Sequence, residues 1–247
     1  MIKYISERRC IFIMYLELIL VINSKMCYNT YWINKGVTKM IGFYDYTTIL
    51  TYLSLISGVI GIFNAMNGKP LLSIVCLLIS GLCDMFDGKV ARSKKGRTKS
   101  EKDYGIQLDS LCDLVCFGVL PITIGYAVGL NKTVCLLIFI PYLLGALIRL
   151  AYFNMLENVR QLQIIPKEKT FIGVPVTTAA LVFPFTYIFK GILGFNFIYL
   201  YGVMMVILAI LFVVKITIKK PSNKAMIIFL IIGVVELVLI LKMCHII

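Results

Sequence analysis

The sequence predicts an all-α polytopic membrane protein, and three observations carry this prediction. Of its 247 residues, 60% are hydrophobic and 15% are charged, and the mean hydropathy is +0.93. The apolar residues gather into segments of about 20 residues, the length that an α-helix needs to cross a bilayer. Lysine and arginine residues, which give the chain a net charge of +13, concentrate in alternate connections between these segments.

Seven apolar segments are candidates for membrane spans. They lie at about residues 47–66, 70–91, 105–128, 133–154, 171–190, 195–216 and 225–243. The first six predict a six-helix core, and the seventh, which contains Glu236, predicts an additional transmembrane helix. We therefore expect a membrane domain over residues 40–218 and a further C-terminal helix over residues 219–247.

The first 39 residues fit this scheme less well. The apolar stretch CIFIMYLELILVI (10–22) is short for a span, contains Glu17 and lacks a small-residue cleavage site. It is compatible with a signal peptide or with a helix on the membrane surface. A third interpretation, which we favour, is that MIGFYDY at Met40 opens the membrane domain. Residues 1–39 are then an N-terminal extension of uncertain role, without a catalytic function.

The basic residues predict the orientation in the membrane. They cluster at residues 1–46, 89–104, 157–170 and 215–224, whereas the opposite side carries only Lys69, Lys132, Lys190 and Lys242. Because cytoplasmic loops of membrane proteins are enriched in lysine and arginine, we expect the first group of loops in the cytoplasm. Attraction to anionic lipid explains the same charge, so we predict no nucleic-acid partner.

The cysteines and the histidine give no indication of a soft-metal site. The eight cysteines are scattered without a CxxC pair, and His245, the only histidine, lies in a short tail. We interpret the cysteines as small apolar side chains in or near the spans rather than as disulfides or zinc ligands.

Four aspartates flank a basic connection at residues 92–104. Asp84 and Asp87 are three residues apart, and Asp109 and Asp113 are four apart, so each pair shares one helix face. A carboxylate inside a membrane costs about 2.5–3.5 kcal/mol or more, which makes it a sign of function. If the connection reverses the chain, all four carboxylates converge. Such a cluster needs a cation, and hard oxygen ligands favour Mg²⁺, Mn²⁺ or Ca²⁺ over zinc.

The residues between the aspartates narrow the chemistry. Gly88 and Ala91 continue the helix face of Asp84 and leave a groove that a flat nucleotide base can enter. Arg92 adds a fixed positive charge suited to a diphosphate. Each feature alone has an ordinary structural explanation, such as helix packing at small residues. Together they favour metal-assisted phosphoryl transfer.

These residues resemble the CDP-alcohol phosphatidyltransferase family, whose signature is DxxDGxxAR, a spacer and GxxxDxxxD. The chain has DMFDGKVAR (84–92) and GIQLDSLCD (105–113), with every fixed position filled. Its 12-residue spacer is longer than is usual in the family and looks like the phosphatidylserine synthase branch. The segments CFGVLP (116–121), RLAYFN (149–154) and GVPVTTAALVFP (173–184) are similar to the same branch.

The resemblance implies a reaction, a cofactor and a site. The reaction is the transfer of a phosphatidyl group from CDP-diacylglycerol to the hydroxyl of L-serine, which gives phosphatidylserine and CMP. Two divalent ions, Mg²⁺ or Mn²⁺, would be held by Asp84, Asp87, Asp109 and Asp113, and Asp113 would also be the general base. The residues implied for CDP-diacylglycerol binding are Asp84, Gly88, Ala91, Arg92 and Thr98. The family further implies a homodimer in the cell membrane, and the orientation puts the active site at the cytoplasmic face.

The acceptor alcohol is the least specified part of this prediction. Arg149 is the only basic residue well inside a span, so it is a candidate for binding the serine carboxylate, although it could instead pair with an aspartate. Lys94, Lys95 and Arg97 are a second candidate group. The same chemistry with glycerol-3-phosphate or inositol phosphate is the first alternative. A divalent-cation transporter is the second, disfavoured because transporter sites lie near the bilayer midplane.

Overall fold

The computed structural model describes residues 42–161, 170–219 and 223–243. The chain divides into two compact units, Met1–Tyr46 and Thr47–Ile247. Residues 42–46 are the described part of the first unit, so the expected extension over residues 1–39 lies outside the described residues. The second unit contains all of the elements that concern the site.

Helices dominate the described ranges. Along the chain they are α1 (Ile49–Met66), α2 (Pro70–Ser93), α3 (Lys99–Asp113), α4 (Leu120–Val128), α5 (Leu136–Gln161), α6 (Ala179–Ile188), α7 (Lys190–Leu193), α8 (Phe197–Val213) and α9 (Asn223–Met243). Short 3₁₀ turns precede four of them, at Tyr46–Thr48, Thr133–Cys135, Val176–Thr178 and Gly194–Asn196. A π-helical segment, Leu114–Val119, joins α3 to α4. The strands β1 (Thr170–Ile172) and β2 (Thr217–Lys219) form one antiparallel pair, with Thr170 opposite Lys219.

Five helical stretches in the described residues are long and apolar enough to cross a membrane. They are Tyr46–Met66, Pro70–Ser93, Lys99–Val128, Thr133–Arg160 and Lys190–Val213. The all-α membrane fold is therefore confirmed. The segment expected at residues 171–190 is helical only over Val176–Ile188 and is shorter than a simple span. Its first residues pair with β2, and Pro175 lacks the N–H that would extend the helix backwards.

Small polar side chains join α1 to α2. Ser54 Oγ donates to the carbonyl of Ser80 at 3.2 Å, and Ser80 Oγ donates to that of Ser54 at 3.0 Å. Small residues also bring α2 against α6, because a Cβ atom at Gly81 would collide with the Cβ of Ala180. Close contacts of this kind hold membrane helices together, since lipid tails compete with ordinary apolar packing.

An aromatic core joins α5, α6 and α8. The ring centroids of Phe183 and Tyr201 are 4.8 Å apart, and those of Tyr142 and Phe183 are 5.8 Å apart. Phe197 and Phe212 extend the group through contacts with Tyr201 and Tyr142. All five side chains are buried, and the offset and edge-on arrangements are those that aromatic pairs prefer.

The π-helical segment follows Asp113 directly and is tied to this core. Pro121 has no N–H to offer the carbonyl of Phe117, four residues earlier. The hydroxyl of Tyr142 donates to that carbonyl at 2.6 Å, and the hydroxyl of Tyr201 donates to the carbonyl of Pro121 at 2.9 Å. These bonds connect the π-helical segment and the start of α4, which follow Asp113 in the chain, to α5 and α8. π-Helical turns are frequent at functional sites.

Candidate active site

The structure brings three of the four predicted metal ligands to one point. Asp84 lies on α2, and Asp109 and Asp113 lie on α3. One carboxylate oxygen of each lies within 4.8 Å of the other two. Asp113 is buried, and the other two are half-buried. A set of three carboxylate oxygens fits a hard divalent cation, which confirms the coarser expectation of a cluster able to hold a metal.

Asp87 lies beside this group rather than within it. It is 8% exposed, and its Oδ2 accepts from the hydroxyl of Thr51 at 3.4 Å. Its carboxyl group also interacts electrostatically with those of Asp109 and Asp84. The four acids thus form one continuous cluster between two helices. Carboxylates at such distances repel each other unless a cation or a proton offsets their charge.

A cavity of about 590 Å³ opens at the cluster. Its volume is within the range of about 300–1,000 Å³ typical of small-molecule sites. Two of the acids, Asp87 and Asp109, line it together with three residues predicted for the nucleotide, Gly88, Ala91 and Arg92. The cavity walls also contain residues that the sequence interpretation had not assigned to the nucleotide or metal site, namely Thr47, Thr48, Thr51, Lys94, Gly96, Arg97, Lys102 and Glu157.

The threonines of the cavity come from α1 and the turn before it. Thr47, Thr51 and Ser54 recur at helical spacing in an otherwise apolar segment, so they share one face. That face meets the aspartates, as the bond from Thr51 to Asp87 shows. The helical spacing of Thr47, Thr51 and Ser54 is the feature of the sequence from which this wall of the site could have been predicted.

Two glycines of the signature make room for guanidinium groups. A Cβ atom at Gly88 would lie 3.2 Å from Nη1 of Arg92, and one at Gly105 would lie 2.8 Å from Nη2 of Arg97. The groove expected to admit a nucleotide base therefore holds two arginine side chains in this structure. Both arginines line the cavity, so positive charge stands next to the acidic cluster.

Thr98 begins α3. Its side chain accepts from the backbone N–H of Glu101 at 3.2 Å, and the Glu101 carboxylate accepts from the Thr98 N–H at 2.7 Å. This capping box stabilises the helix start. Thr98 is not among the residues that line the cavity, and its expected contact with CDP-diacylglycerol stays a prediction. The basic connection is also shorter than expected, because α2 continues to Ser93 and α3 begins at Lys99.

Arg149 is buried on α5 and binds a backbone carbonyl. It is 6% exposed, and its Nε donates to the carbonyl of Val174 at 3.2 Å. The guanidinium carbon also lies 5.7 Å from the ring centre of Phe153. Within the described ranges no carboxylate lies within 4.0 Å of its nitrogens, so pairing with an aspartate is not what the structure shows. Its expected contact with serine stays a prediction.

Comparison with known proteins identifies the family. The family model described as CDP-alcohol phosphatidyltransferase matches residues 46–234, a region that includes the whole acidic cluster. The chain belongs to this family. The family resemblance seen in the signature is thereby confirmed.

Curated relatives carry names that specify the acceptor. The chain is 37% identical over 161 residues to the CDP-diacylglycerol–serine O-phosphatidyltransferase of Saccharomyces cerevisiae, which covers 62% of this chain and 56% of the relative. It is 31% identical over 140 residues to the protein of the same name from Helicobacter pylori, covering 56% and 55%. It is 30% identical over 149 residues to the archaetidylserine synthase of Methanothermobacter thermautotrophicus, covering 60% and 58%. The matched regions thus span little more than half the length of these relatives.

Proposed function

We propose that this protein transfers a phosphatidyl group from CDP-diacylglycerol to the hydroxyl of L-serine, giving phosphatidylserine and CMP. The observation that carries the proposal is the convergence of Asp84, Asp109 and Asp113 beside a cavity that contains two arginine side chains. The family match supports the chemistry, and the relatives named for serine support the acceptor.

The acidic cluster would hold two divalent ions, Mg²⁺ or Mn²⁺. Asp84, Asp87 and Asp109 would be ligands, with Asp113 contributing to the second ion. Oxygen-only ligands suit these hard cations. The repulsion between neighbouring carboxylates also favours binding of a cation, because the cation offsets their charge. When bound, such ions neutralise the diphosphate and the charge that develops on the CMP leaving group.

The cavity walls would bind the nucleotide part of CDP-diacylglycerol, while its acyl chains stay in the bilayer. Arg92 lies in the cavity and can donate two parallel hydrogen bonds to phosphate oxygens. Gly88 and Ala91 bring the backbone of α2 to the cavity surface without large side chains. We keep Asp84 and Thr98 in this set on the basis of the family resemblance.

Asp113 would be the general base. It removes the proton from the serine hydroxyl, whose oxygen then attacks the lipid-bearing phosphorus. The bond between that phosphorus and the CMP oxygen breaks, and CMP leaves with the electron pair. Asp113 is 7% exposed and is the last residue of α3, directly before the π-helical segment that the hydroxyl of Tyr142 joins to α5. A base must lie within about 2.6–3.2 Å of its proton or one water away.

Arg149 would bind the serine carboxylate. Among the described residues, Nε of Arg149 has a hydrogen-bond partner, the carbonyl of Val174, and the two Nη atoms are available to a ligand. A planar guanidinium matches a carboxylate in two parallel bonds. Helices α3 and α5 contact each other, so Asp113 and Arg149 lie on neighbouring elements.

The remaining expectations concern the surroundings of the site. We propose that residues 40–218 form the catalytic membrane domain, that residues 219–247 add a helix, and that the site faces the cytoplasm. The distribution of basic residues supports this orientation. Substrate access in inside-out and right-side-out vesicles would test the orientation, and light scattering of the purified protein would test the expected homodimer.

The identity of the acceptor alcohol distinguishes this proposal from its alternative. The alternative, the same transfer to glycerol-3-phosphate or inositol phosphate, keeps the metal site. The transporter hypothesis is left without support by the family match. The test is CMP release from CDP-diacylglycerol by purified protein with Mn²⁺ or Mg²⁺, with each acceptor in parallel. Release that requires L-serine supports the proposal, and release with another acceptor overturns the serine assignment. Asp109→Asn is the negative control.

A further inference from the structure

The backbones of the two helices that carry the aspartates stay apart, although the carboxyl groups of the two helices meet. Helix α2 packs closely on α1, and α3 packs on α1 and α5, whereas α2 and α3 make almost no direct backbone contact. Four carboxylates lie between them and repel one another. The distance between the two pairs of acids therefore depends on what joins α2 to α3 at the ends next to the basic connection.

Arg97 joins these two ends. Its Nη1 donates to the carbonyl of Ala91 in the last turn of α2 at 3.3 Å, and its Nη2 donates to the carbonyl of Glu101 in the first turn of α3 at 3.0 Å. The third nitrogen, Nε, is buried and has no hydrogen-bond partner among the described residues. The side chain keeps this conformation although one donor is unsatisfied, and it rests on the open face of Gly105.

The connection around Arg97 is built to hold it. Gly96 has a φ of +74°, a conformation that other residues rarely adopt, and it turns the chain just before Arg97. Lys94 forms an ion pair with Glu101 at 2.9 Å, and the capping box of Thr98 and Glu101 starts the helix. Three of the five residues between α2 and α3, namely Lys94, Arg97 and Thr98, thus contact Glu101.

We propose that Arg97 is a positioning residue, which sets the separation of Asp84 and Asp87 from Asp109 and Asp113 and thereby the affinity of the cluster for divalent cations. The inference rests on the proposed function, since it takes the acids to be metal ligands. The guanidinium group presents its donors in a rigid, planar fork, whereas a lysine ammonium is a point charge on a flexible stem, so lysine is not an equivalent replacement. Arg97 lies in the spacer outside both halves of the family signature.

The test is Mn²⁺ binding to the purified protein in lipid nanodiscs without substrate, followed by the electron paramagnetic resonance signal of free Mn²⁺. Arg97→Gln should weaken binding by about 10- to 100-fold, the usual effect of losing a residue that orients metal ligands. Arg97→Lys should lie between this variant and the wild type. The matched control is Lys95→Gln, which removes an exposed positive charge from the same connection.

The direction of the change separates positioning from charge. Removing a positive charge near a cation site strengthens cation binding by Coulomb's law, so weaker binding in Arg97→Gln identifies a geometric role. In turnover assays, the Mn²⁺ concentration for half-maximal rate should rise in parallel. The temperature of thermal unfolding should stay close to that of the wild type, an outcome that general unfolding would not give.

Two results would overturn the inference: unchanged or tighter Mn²⁺ binding in Arg97→Gln, or an equal loss in Lys95→Gln. If Arg97→Gln does not fold, the comparison is made between Arg97→Lys and Lys95→Gln, with the same two criteria. Failure of the proposed function is a different result. In that case the wild type itself shows no Mn²⁺ binding that Asp109→Asn abolishes.

Discussion

Different interactions stabilise two regions of the molecule. One is the acidic cluster with its cavity between α2 and α3, and the other is the aromatic core of α5, α6 and α8. In the cavity, charged and polar groups from neighbouring parts of the sequence contact each other through directional bonds, and four carboxylates share a small volume. In the core, rings from distant parts of the sequence pack against each other. The core needs no ligand to pack, whereas the four carboxylates beside the cavity repel one another when they are ionised, and a bound cation would offset their charge. Changes in the cavity should therefore alter ligand binding and turnover, and changes in the core should alter stability.

The largest effect is expected from Asp113→Asn. Loss of a general base typically lowers the rate by about 10²- to 10⁴-fold. CMP release should fall in that range, while Mn²⁺ and nucleotide binding are largely kept. The comparison variant is Asp84→Asn, which should weaken binding as well as turnover. Turnover of Asp113→Asn near that of the wild type would show that the base is another group.

Phe183→Ala should have the opposite signature. Phe183 is fully buried against Tyr142 and Tyr201, and truncation of such a ring costs about 3–5 kcal/mol. Thermal unfolding in detergent measures the loss, and the Mn²⁺ affinity of the folded fraction should be unchanged. Phe185→Ala on the same helix is the control, because Phe185 is 54% exposed and should cost little. Equal losses in both variants would contradict the assignment of the core.

Tyr142→Phe tests the connection between the two regions. It leaves the carbonyl of Phe117 buried without its donor, which costs about 1–3 kcal/mol. Because this bond ties the segment after Asp113 to α5, we also expect a measurable fall in turnover. Tyr126→Phe serves for comparison, since Tyr126 is 59% exposed. A variant with lower stability and unchanged turnover would separate the core from the site completely.

Thr98→Ala should give the smallest change. Loss of an N-cap costs about 1 kcal/mol, and Thr98→Ser should restore it. Thermal unfolding measures this part. The KM for CDP-diacylglycerol, measured on the same variants, tests the role expected from the family. A KM within about twofold of the wild type leaves Thr98 with capping alone, whereas a larger increase supports contact with the substrate.

The parts of the site that the sequence predicted are those that local spacing controls. Steps of three and four residues put Asp84 with Asp87 and Asp109 with Asp113 on common helix faces, whatever the helices pack against. Gly88 and Ala91 follow from the same periodicity, Arg92 was predicted from its charge, and all three line the cavity. The position of Asp87 at the edge of the cluster could not be predicted, because it depends on the angle between α2 and α3 and on the hydroxyl of Thr51.

The sequence by itself indicated three things: the membrane class through its hydropathy, the family through its resemblance to a signature, and the shared helix faces of the aspartates through helical periodicity. Each of these is a local feature of the chain. Tertiary structure alone decided the bridge that Arg97 makes between two helices, the carbonyl that Arg149 binds and the short helix at Val176–Ile188. Each of these depends on a partner far along the chain or on a helix angle. A pattern within a single segment contains no information about either.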